Sequence, residues 1–391
     1  MLTRRLLLMT GGAGVVLVGA GLGSVLHSDL RGARAPWRTA GKRFEDPRLN
    51  ALSYAVLAPS PHNRQPWLVR LEAAADALTL FCDLDRLLPH TDPPNRQVVI
   101  GLGAFLELLR QAAAEEGYGL RITTFPEGEP WPVLDARPVA SVKFVEAGGA
   151  PKDPLFDTIL DRRTSRVRFD QKRPIANETL SLLDQVLRSE DGEFEWVNDP
   201  VNGEALKSLC REAWEIEMAT QATHKESTAL TRIGEKEINE NPDGISLSGP
   251  VIESLSLVGV MNRIQMNDPS SRAYDEARKY YNSLIDSAMA FGWLSTAANS
   301  RRDQLRVGGG WVRLHQAATR AGLAMQPLSQ PLQEFPEMAE KFEEIHDFTG
   351  FAVPTDETSG RVQGLFRFGY AKAPPPAPRW PMQTRIVRVD A

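Results

Sequence analysis

The chain has 391 residues, enough for one large domain or two ordinary ones, and 42% of them are hydrophobic, which suffices for a buried core. Its formal net charge of -5 comes from acids and bases that are interspersed, so no basic face offers itself to nucleic acid and that class of partner is set aside. Cys82 and Cys210 lie far apart, with no Cys-x-x-Cys and no histidine at ligand spacing, so neither a metal site nor a disulfide framework is expected.

At the N-terminus, Thr3, Arg4, Arg5 and Leu6 open a charge-free run from Leu6 to Leu26 that includes six glycines. This reads as a targeting segment, not core. Paired arginines ahead of a weakly apolar, glycine-rich stretch resemble the twin-arginine export signal, whose machinery moves proteins already folded around their cofactors. An ordinary signal peptide or a single membrane helix is the plainer reading. The pattern Ala33-Arg34-Ala35 is followed by Pro36, a poor residue after a cleavage site. At about 1.5 Å per residue the run just crosses a hydrocarbon core of about 30 Å, so a retained anchor stands beside a cleaved signal. Residues 1–35 are therefore expected to be signal or anchor, with the folded part periplasmic or membrane-anchored outside the cytoplasm and membrane contact confined to this segment.

From Asp46 to Leu57, Leu49, Leu52 and Val56 fall at helical spacing, and the helix should stop before the proline-containing loop Ala58–Pro66. Trp67–Leu71 and Leu78–Cys82 read as strands about a turn. A polar loop then leads into a long helical pattern from Val98 to Glu116, ended by Gly117. Strand candidates Leu120–Phe125 and Val139–Val145 close a first half, residues 40–150. A second half, residues 151–372, opens with a helix through Asp161, then a basic loop, then a helix over Asn177–Arg188. Residues 220–274 are polar and irregular in pattern and read either as a lid-like insertion or as an excursion with packing duties only. Gly308-Gly309-Gly310 is expected to open a helix. Residues 373–391 form a proline-rich extended tail.

One internal echo links the halves. Gly103, Leu109, Gln111, Ala112, Ala113 and Gly117 recur as Gly308, Leu314, Gln316, Ala317, Ala318 and Gly322, at a constant offset. A repeat over that distance suggests two copies of one helix in a duplicated fold.

Two constellations carry chemistry. The run Ala58-Pro59-Ser60-Pro61-His62-Asn63-Arg64-Gln65-Pro66-Trp67 sits between a helix and a strand. Ser60, Asn63 and Gln65 offer donors and acceptors to the polar edge of a planar heterocycle, and the prolines limit the loop's entropy loss. The second run, Asp161-Arg162-Arg163-Thr164-Ser165-Arg166-Val167-Arg168-Phe169-Asp170, combines guanidinium forks with hydroxyls, a set suited to a phosphate. A helix stop and a solvated basic loop are the corresponding structural readings.

The first run resembles the Pro-Ser-x-x-Asn-x-Gln-Pro-Trp loop of nitroreductase-family flavoproteins, and the second resembles that family's Arg-Arg-Ser/Thr-x-Arg-x-x-Phe element. The resemblance implies an α+β nitroreductase-like fold binding FMN, with Ser60, Asn63 and Gln65 against the ring and ribityl chain and Arg162, Arg163, Thr164 and Arg166 at the phosphate. It further implies Leu328, Ser329 and Gln330 near flavin N5, and Arg367 as a second phosphate contact. In the usual family member the basic element precedes the Pro-Ser loop and the flavin touches both from different subunits. Here the order is reversed, which implies an intrachain pseudo-dimer with one surviving composite site. Nearly all of the chain beyond the signal resembles the Acg-type branch, whose members are regarded as flavin-binding proteins with a lid over the pocket. The implied function is an FMN-dependent oxidoreductase passing electrons to a small-molecule acceptor such as a quinone or nitroaromatic, with a quinol or redox partner as a possible donor outside the cytoplasm. A flavin-sequestering protein with little reductase activity is the alternative. Flavin supplies the chemistry, so no side chain is assigned as catalytic.

Overall fold

The computed structural model describes residues 30–42, 44–146, 152–188, 193–356 and 358–387. The twin-arginine run lies outside the described residues. Leu30 and Ala33 are buried against Ile238, and the short helix α1 (Ala35–Thr39) buries Pro36 and Trp37.

Helix α2 (Pro47–Ala55) begins where Asp46 accepts a hydrogen bond from the Arg48 amide, with proline in the first turn. Strands β1 (Trp67–Leu71) and β2 (Ala77–Cys82) form a hairpin, helix α3 (Arg96–Glu115) follows, and β3 (Tyr118–Thr124) and β4 (Ala140–Glu146) complete an antiparallel sheet of order β1-β2-β4-β3. Gly117 sits just past α3 with φ of 84°, where a side chain would be strained. Among the described residues α3 alone has the length and apolarity of a membrane span, but it is mostly buried and serves as a core helix.

The second half contains α4 (Asn177–Arg188), β5 (Glu193–Val197) and α5 (Pro200–Ala219). Ahead of α4, the expected helix through Asp161 is instead a single 3-10 turn, Phe156–Thr158. The Asp153 carboxylate accepts from the Leu155 amide at 3.0 Å and the Thr158 hydroxyl donates to the Leu155 carbonyl at 2.6 Å, so side chains compete with helical bonding there. The stretch that is irregular in pattern, residues 220–274, folds into short regular elements. It comprises α6 (Gln221–Ala229), β6 (Thr231–Ile233), α7 (Gly234–Glu240), β7 (Ile245–Leu247), α8 (Pro250–Leu257) and α9 (Arg263–Asn267), with β6 and β7 paired in parallel. Each element is too short to imprint a readable period on the sequence.

Helix α10 (Arg272–Asp286) leads into β8 (Ala290–Ala298), α11 (Arg301–Arg320), β9 (Ala324–Pro327), α12 (Ala339–Thr349) and β10 (Ser359–Gly369), and the second sheet has the order β5-β8-β10-β9. It is covered on both faces. Leu294, Phe366 and Phe368 pack with α4 and α11, whereas Phe291, Trp293, Val362 and Leu365 pack with α5, α10 and α12. The extended tail crosses back to the first half, where β11 (Ile386–Val387) pairs in parallel with β1.

The halves meet along α3 and α11. A Cβ on Gly103 would stand 2.0 Å from the Leu305 carbonyl oxygen, and one on Gly308 would stand 2.0 Å from the Ile100 carbonyl oxygen. The two helices therefore touch backbone to backbone. Gln111 donates to Gln316 at 2.9 Å and Gln316 donates back to Gln111 at 2.8 Å. Both of these contacts thus have a counterpart on the other helix at the sequence offset of the repeat. The fold is α+β, two sheet-plus-helix halves packed together along α3 and α11, with an inserted subdomain. Gly308-Gly309-Gly310 lies inside α11 rather than opening it, because Gly308 is required at the crossing.

Replacing Gly308 with valine should therefore force α3 and α11 apart and destabilise the protein by about 1–3 kcal/mol or more, read as a lower urea midpoint. An unchanged midpoint would contradict the close crossing.

Candidate functional site

The Pro-Ser loop emerges from the end of α2 and is held in an unusual conformation: His62, Asn63 and Gln65 have φ of 45°, 53° and 52°. Left-handed backbone at three non-glycine residues costs of order 1 kcal/mol each and persists only where surroundings enforce it. Here they do. Ser60 Oγ accepts from the Gln65 amide at 2.9 Å, and the Gln65 side chain donates to the Pro242 carbonyl at 2.8 Å while accepting from the Trp380 amide at 2.9 Å. The Asn63 side chain donates to the Pro378 carbonyl at 3.1 Å and accepts from Arg379 at 2.6 Å. The loop's far end is anchored by Trp67, fully buried with its ring 5.2 Å from that of Phe105. The amides of Asn63 and Gln65 thus brace the loop against the inserted subdomain and the tail.

The basic loop is pinned to the second sheet. Thr164 forms a bridge with Met325, and the Ser165 amide donates to the Met325 carbonyl at 3.0 Å. Arg367 lies behind it and spends its guanidinium on Gln326, Ser287 and the Ser165 and Val167 carbonyls, with Phe169 stacked 3.8 Å away. Through these bonds it braces the basic loop from behind.

The two loops meet at one atom. Arg162 of the basic loop donates to the Leu57 carbonyl at 2.9 Å, and Arg379 of the tail donates to the same oxygen at 3.1 Å. Arg163 lies 4.7 Å from the centre of the Trp37 ring, with Arg379 at 5.4 Å and Arg162 at 6.0 Å. Arg162 and Arg379 are 2% and 3% exposed. Burial, and after it the Arg163 charge, lowers the Arg162 pKa to about 9; burial and the charges of Arg162 and Arg163 lower that of Arg379 well below its ordinary value. Among the described residues, the Nε atoms of Arg34, Arg162 and Arg379 are buried without partners. Arg34 adds its charge at Arg163, against which Asp161 is the opposing acid. A crowd of guanidiniums short of countercharge is electrostatically suited to an anion.

His315 orients Arg162. Its Nε2 lies 2.9 Å from the Arg163 carbonyl and so donates, which leaves Nδ1 to accept from Arg162 at 3.5 Å. Burial, then the Arg162 charge, pushes its pKa down to about 3.

A second polar cluster lies where the inserted subdomain meets the Pro-Ser loop. Ser227 Oγ is 3.4 Å from His62 Nε2 and 3.3 Å from Glu217 Oε1, and Gln333 donates to Glu217 at 3.2 Å. The Gln330 side chain also bonds Glu217, while its amide oxygen Oε1 accepts from the Tyr281 hydroxyl at 3.3 Å. Burial raises the Glu217 pKa, and burial followed by the Arg166 charge raises and then tempers that of Tyr281, to about 12. His62 is pushed down to about 3 by burial, then Arg166 and Arg64. The Arg166 charge therefore reaches this cluster, although the side chain itself is exposed. Leu328 is fully buried with its amide bonded to the Leu365 carbonyl, and Ser329 follows at the start of a 3-10 turn that carries Gln330.

Sequence reasoning missed Trp37, Arg379, Glu217, Ser227 and Tyr281. Glu217 carries a readable signal: with Leu206, Cys210 and Ala213 it falls on the buried stripe of α5, where an acid is out of place. Arg379 carries none beyond being a charge in a proline-rich segment.

No family model matches the chain. It is 36% identical over 123 residues to the uncharacterized protein Rv3127 of Mycobacterium tuberculosis, a match covering 31% of this chain and 35% of that one. It is 36% identical over 122 residues to acg of the same organism, an NAD(P)H nitroreductase by name, with the same shares covered, so the chain spans about a third of the length of these relatives. Among solved structures, a nitroreductase from Anabaena variabilis is similar at 10% identity over 86% of this chain and 91% of that one, with a TM-score of 0.46. NfnB from Mycobacterium smegmatis, solved with NADPH, is similar at 15% identity over 58% of this chain and 94% of that one, with a TM-score of 0.34.

Because the folded-state pKa of His315 lies below the free value of 6.5, the unfolded chain takes up the proton first on acidification. Stability is complete above pH 6.5 and is lost as pH falls toward 3, by about 2 kcal/mol at pH 5 from this residue. Urea midpoints should fall between pH 7 and 5, and less steeply in His315→Gln. Equal slopes in the two proteins would contradict a neutral buried imidazole.

Proposed function

We propose that the chain is an FMN-dependent oxidoreductase of the nitroreductase family, with one flavin site assembled from both halves. The observation that carries this reading is the convergence of Arg162 and Arg379 on the Leu57 carbonyl, at the root of the Pro-Ser loop, with unpartnered guanidinium nitrogens around it. A phosphomonoester would supply the countercharge that this cluster lacks, each charge-assisted hydrogen bond contributing about 1.5–3 kcal/mol. The residues present therefore fit the phosphate end of FMN. The names of the relatives support the same reading.

Bound FMN would supply the redox chemistry, accepting electrons from a donor and passing them to a small-molecule acceptor such as a quinone or nitroaromatic. The protein contributes placement. The Pro-Ser loop, held rigid by Ser60, Asn63 and Gln65, offers a preorganised edge. The inserted subdomain, bolted to the first half by Asp243 at 2.6 Å from Arg86 and 3.5 Å from Arg64, walls the site from solvent on the His62 side. Glu217, Ser227 and His62 form a hydrogen-bonded row able to hold a proton beside it.

NAD(P)H is the donor favoured by the relatives' names, with a quinol or redox partner the alternative for an exported protein. Anaerobic addition of NADPH to the purified flavoprotein should bleach the visible flavin band, and a nitroaromatic should restore it. Bleaching by dithionite alone would favour another donor or flavin sequestration. Export through the twin-arginine pathway, with the folded part outside the cytoplasm, belongs to the same proposal. Changing Arg4 and Arg5 to lysine should leave the precursor in the cytoplasm, and undiminished export would rule that route out.

A further inference from the structure

We propose that the two ends of the described chain form a clasp over the phosphate site, in which Arg379 is itself a ligand of the phosphomonoester and Trp37 holds it there. The inference rests on the FMN reading above. It adds a residue from the proline-rich tail to a site whose other arginines come from the basic loop.

Four observations carry it. The tail is not loose: Arg379 is 3% exposed, its amide donates to the Ala33 carbonyl at 2.8 Å, and Trp37 Nε1 donates to the Ala377 carbonyl at 2.8 Å. The N-terminal segment and the tail are thus tied to each other before either reaches the site. Second, Arg379 is beside the basic loop, since it shares the Leu57 carbonyl with Arg162 and the face of Trp37 with Arg162 and Arg163.

Third, what Arg379 bonds to is neutral. Among the described residues its partners are the Asn63 amide oxygen and the carbonyls of Leu57, Ala58 and Pro378, and its Nε is buried with none. The charges that reach it, from Arg162 and Arg163, are repulsive. A buried cation placed among cations and left without an acid is costly unless an anion joins them. Fourth, the bond from Arg379 to Asn63 couples the phosphate end of the site to the Pro-Ser loop, so that docking of the tail and shaping of the loop are one event.

A purely structural Arg379 and a phosphate-binding Arg379 behave differently toward riboflavin, which has the ring of FMN but no phosphate. Titrating flavin-free protein with each flavin, and reading fluorescence quenching, separates the two roles. In Arg379→Gln the FMN dissociation constant should rise roughly tenfold to a hundredfold while that for riboflavin changes little, so that the preference for FMN collapses. Arg379→Lys, which keeps the charge and guards against a misfolded glutamine variant, should retain part of the preference. Inorganic phosphate should compete with FMN in the wild-type protein and compete less in Arg379→Gln, which also separates the site's affinity for phosphate itself from affinity for the flavin. Equal weakening of both flavins, or an unchanged preference for FMN, would overturn the clasp. If that happened while Arg162→Ala still lost FMN selectively, the flavin site would stand without Arg379. If neither variant altered flavin binding, the FMN reading itself would fall.

Discussion

Everything at the candidate site depends on how closely α3 and α11 approach. Carbonyl oxygens of each helix occupy the space where a Cβ of the other would be, at Gly103 and Gly308, and the reciprocal Gln111 and Gln316 bonds lock the register one face further along. These contacts leave little freedom for one half to slide on the other. The consequence is felt at a distance: the loop leaving α2 in the first half and the loop preceding α4 in the second are delivered to a single carbonyl oxygen, that of Leu57.

At that junction electrostatics and conformation reinforce one another. Three arginines gather on Trp37 and are short of countercharge, while three left-handed residues keep the Pro-Ser loop away from any relaxed backbone. Both features are unfavourable in isolation, and their side-by-side occurrence is what distinguishes this region from the ordinary core around it. The inserted subdomain and the tail then bury the arrangement. Asp243 ties the former to Arg64 and Arg86, and the latter threads beneath the loop before adding β11 to the first sheet. The reactive groups of the cysteines play no part, since both thiols are buried and that of Cys82 is pushed up to about 12.

Much of the fold was legible because strong periodicity and punctuation coincide. The strand Trp67–Leu71 and the helix Asn177–Arg188 lie where alternation and amphipathic spacing put them, and the repeat containing Gly103 and Gly308 marks the helix crossing. The inserted subdomain was not legible, because helices of five to nine residues show no sustained stripe and are held by partners remote in sequence. At the site, the basic loop and the Pro-Ser loop stood out by density of polar groups. The protein partners of the site side chains did not: Gln65 reaches Pro242 and Trp380, and Arg367 of β10 reaches Ser287, all from far along the chain. Arg379 was hidden for the same reason. Its meaning lies in Leu57 and Trp37, more than three hundred residues away, and short-range pattern has no access to such contacts.

The central claim is a single flavin site shared between two halves, and the most direct measurement is the stoichiometry of FMN in the full-length protein after reconstitution, with the released cofactor identified by mass. The account predicts one FMN per chain. Two per chain, or a colourless protein that takes up none, would contradict it.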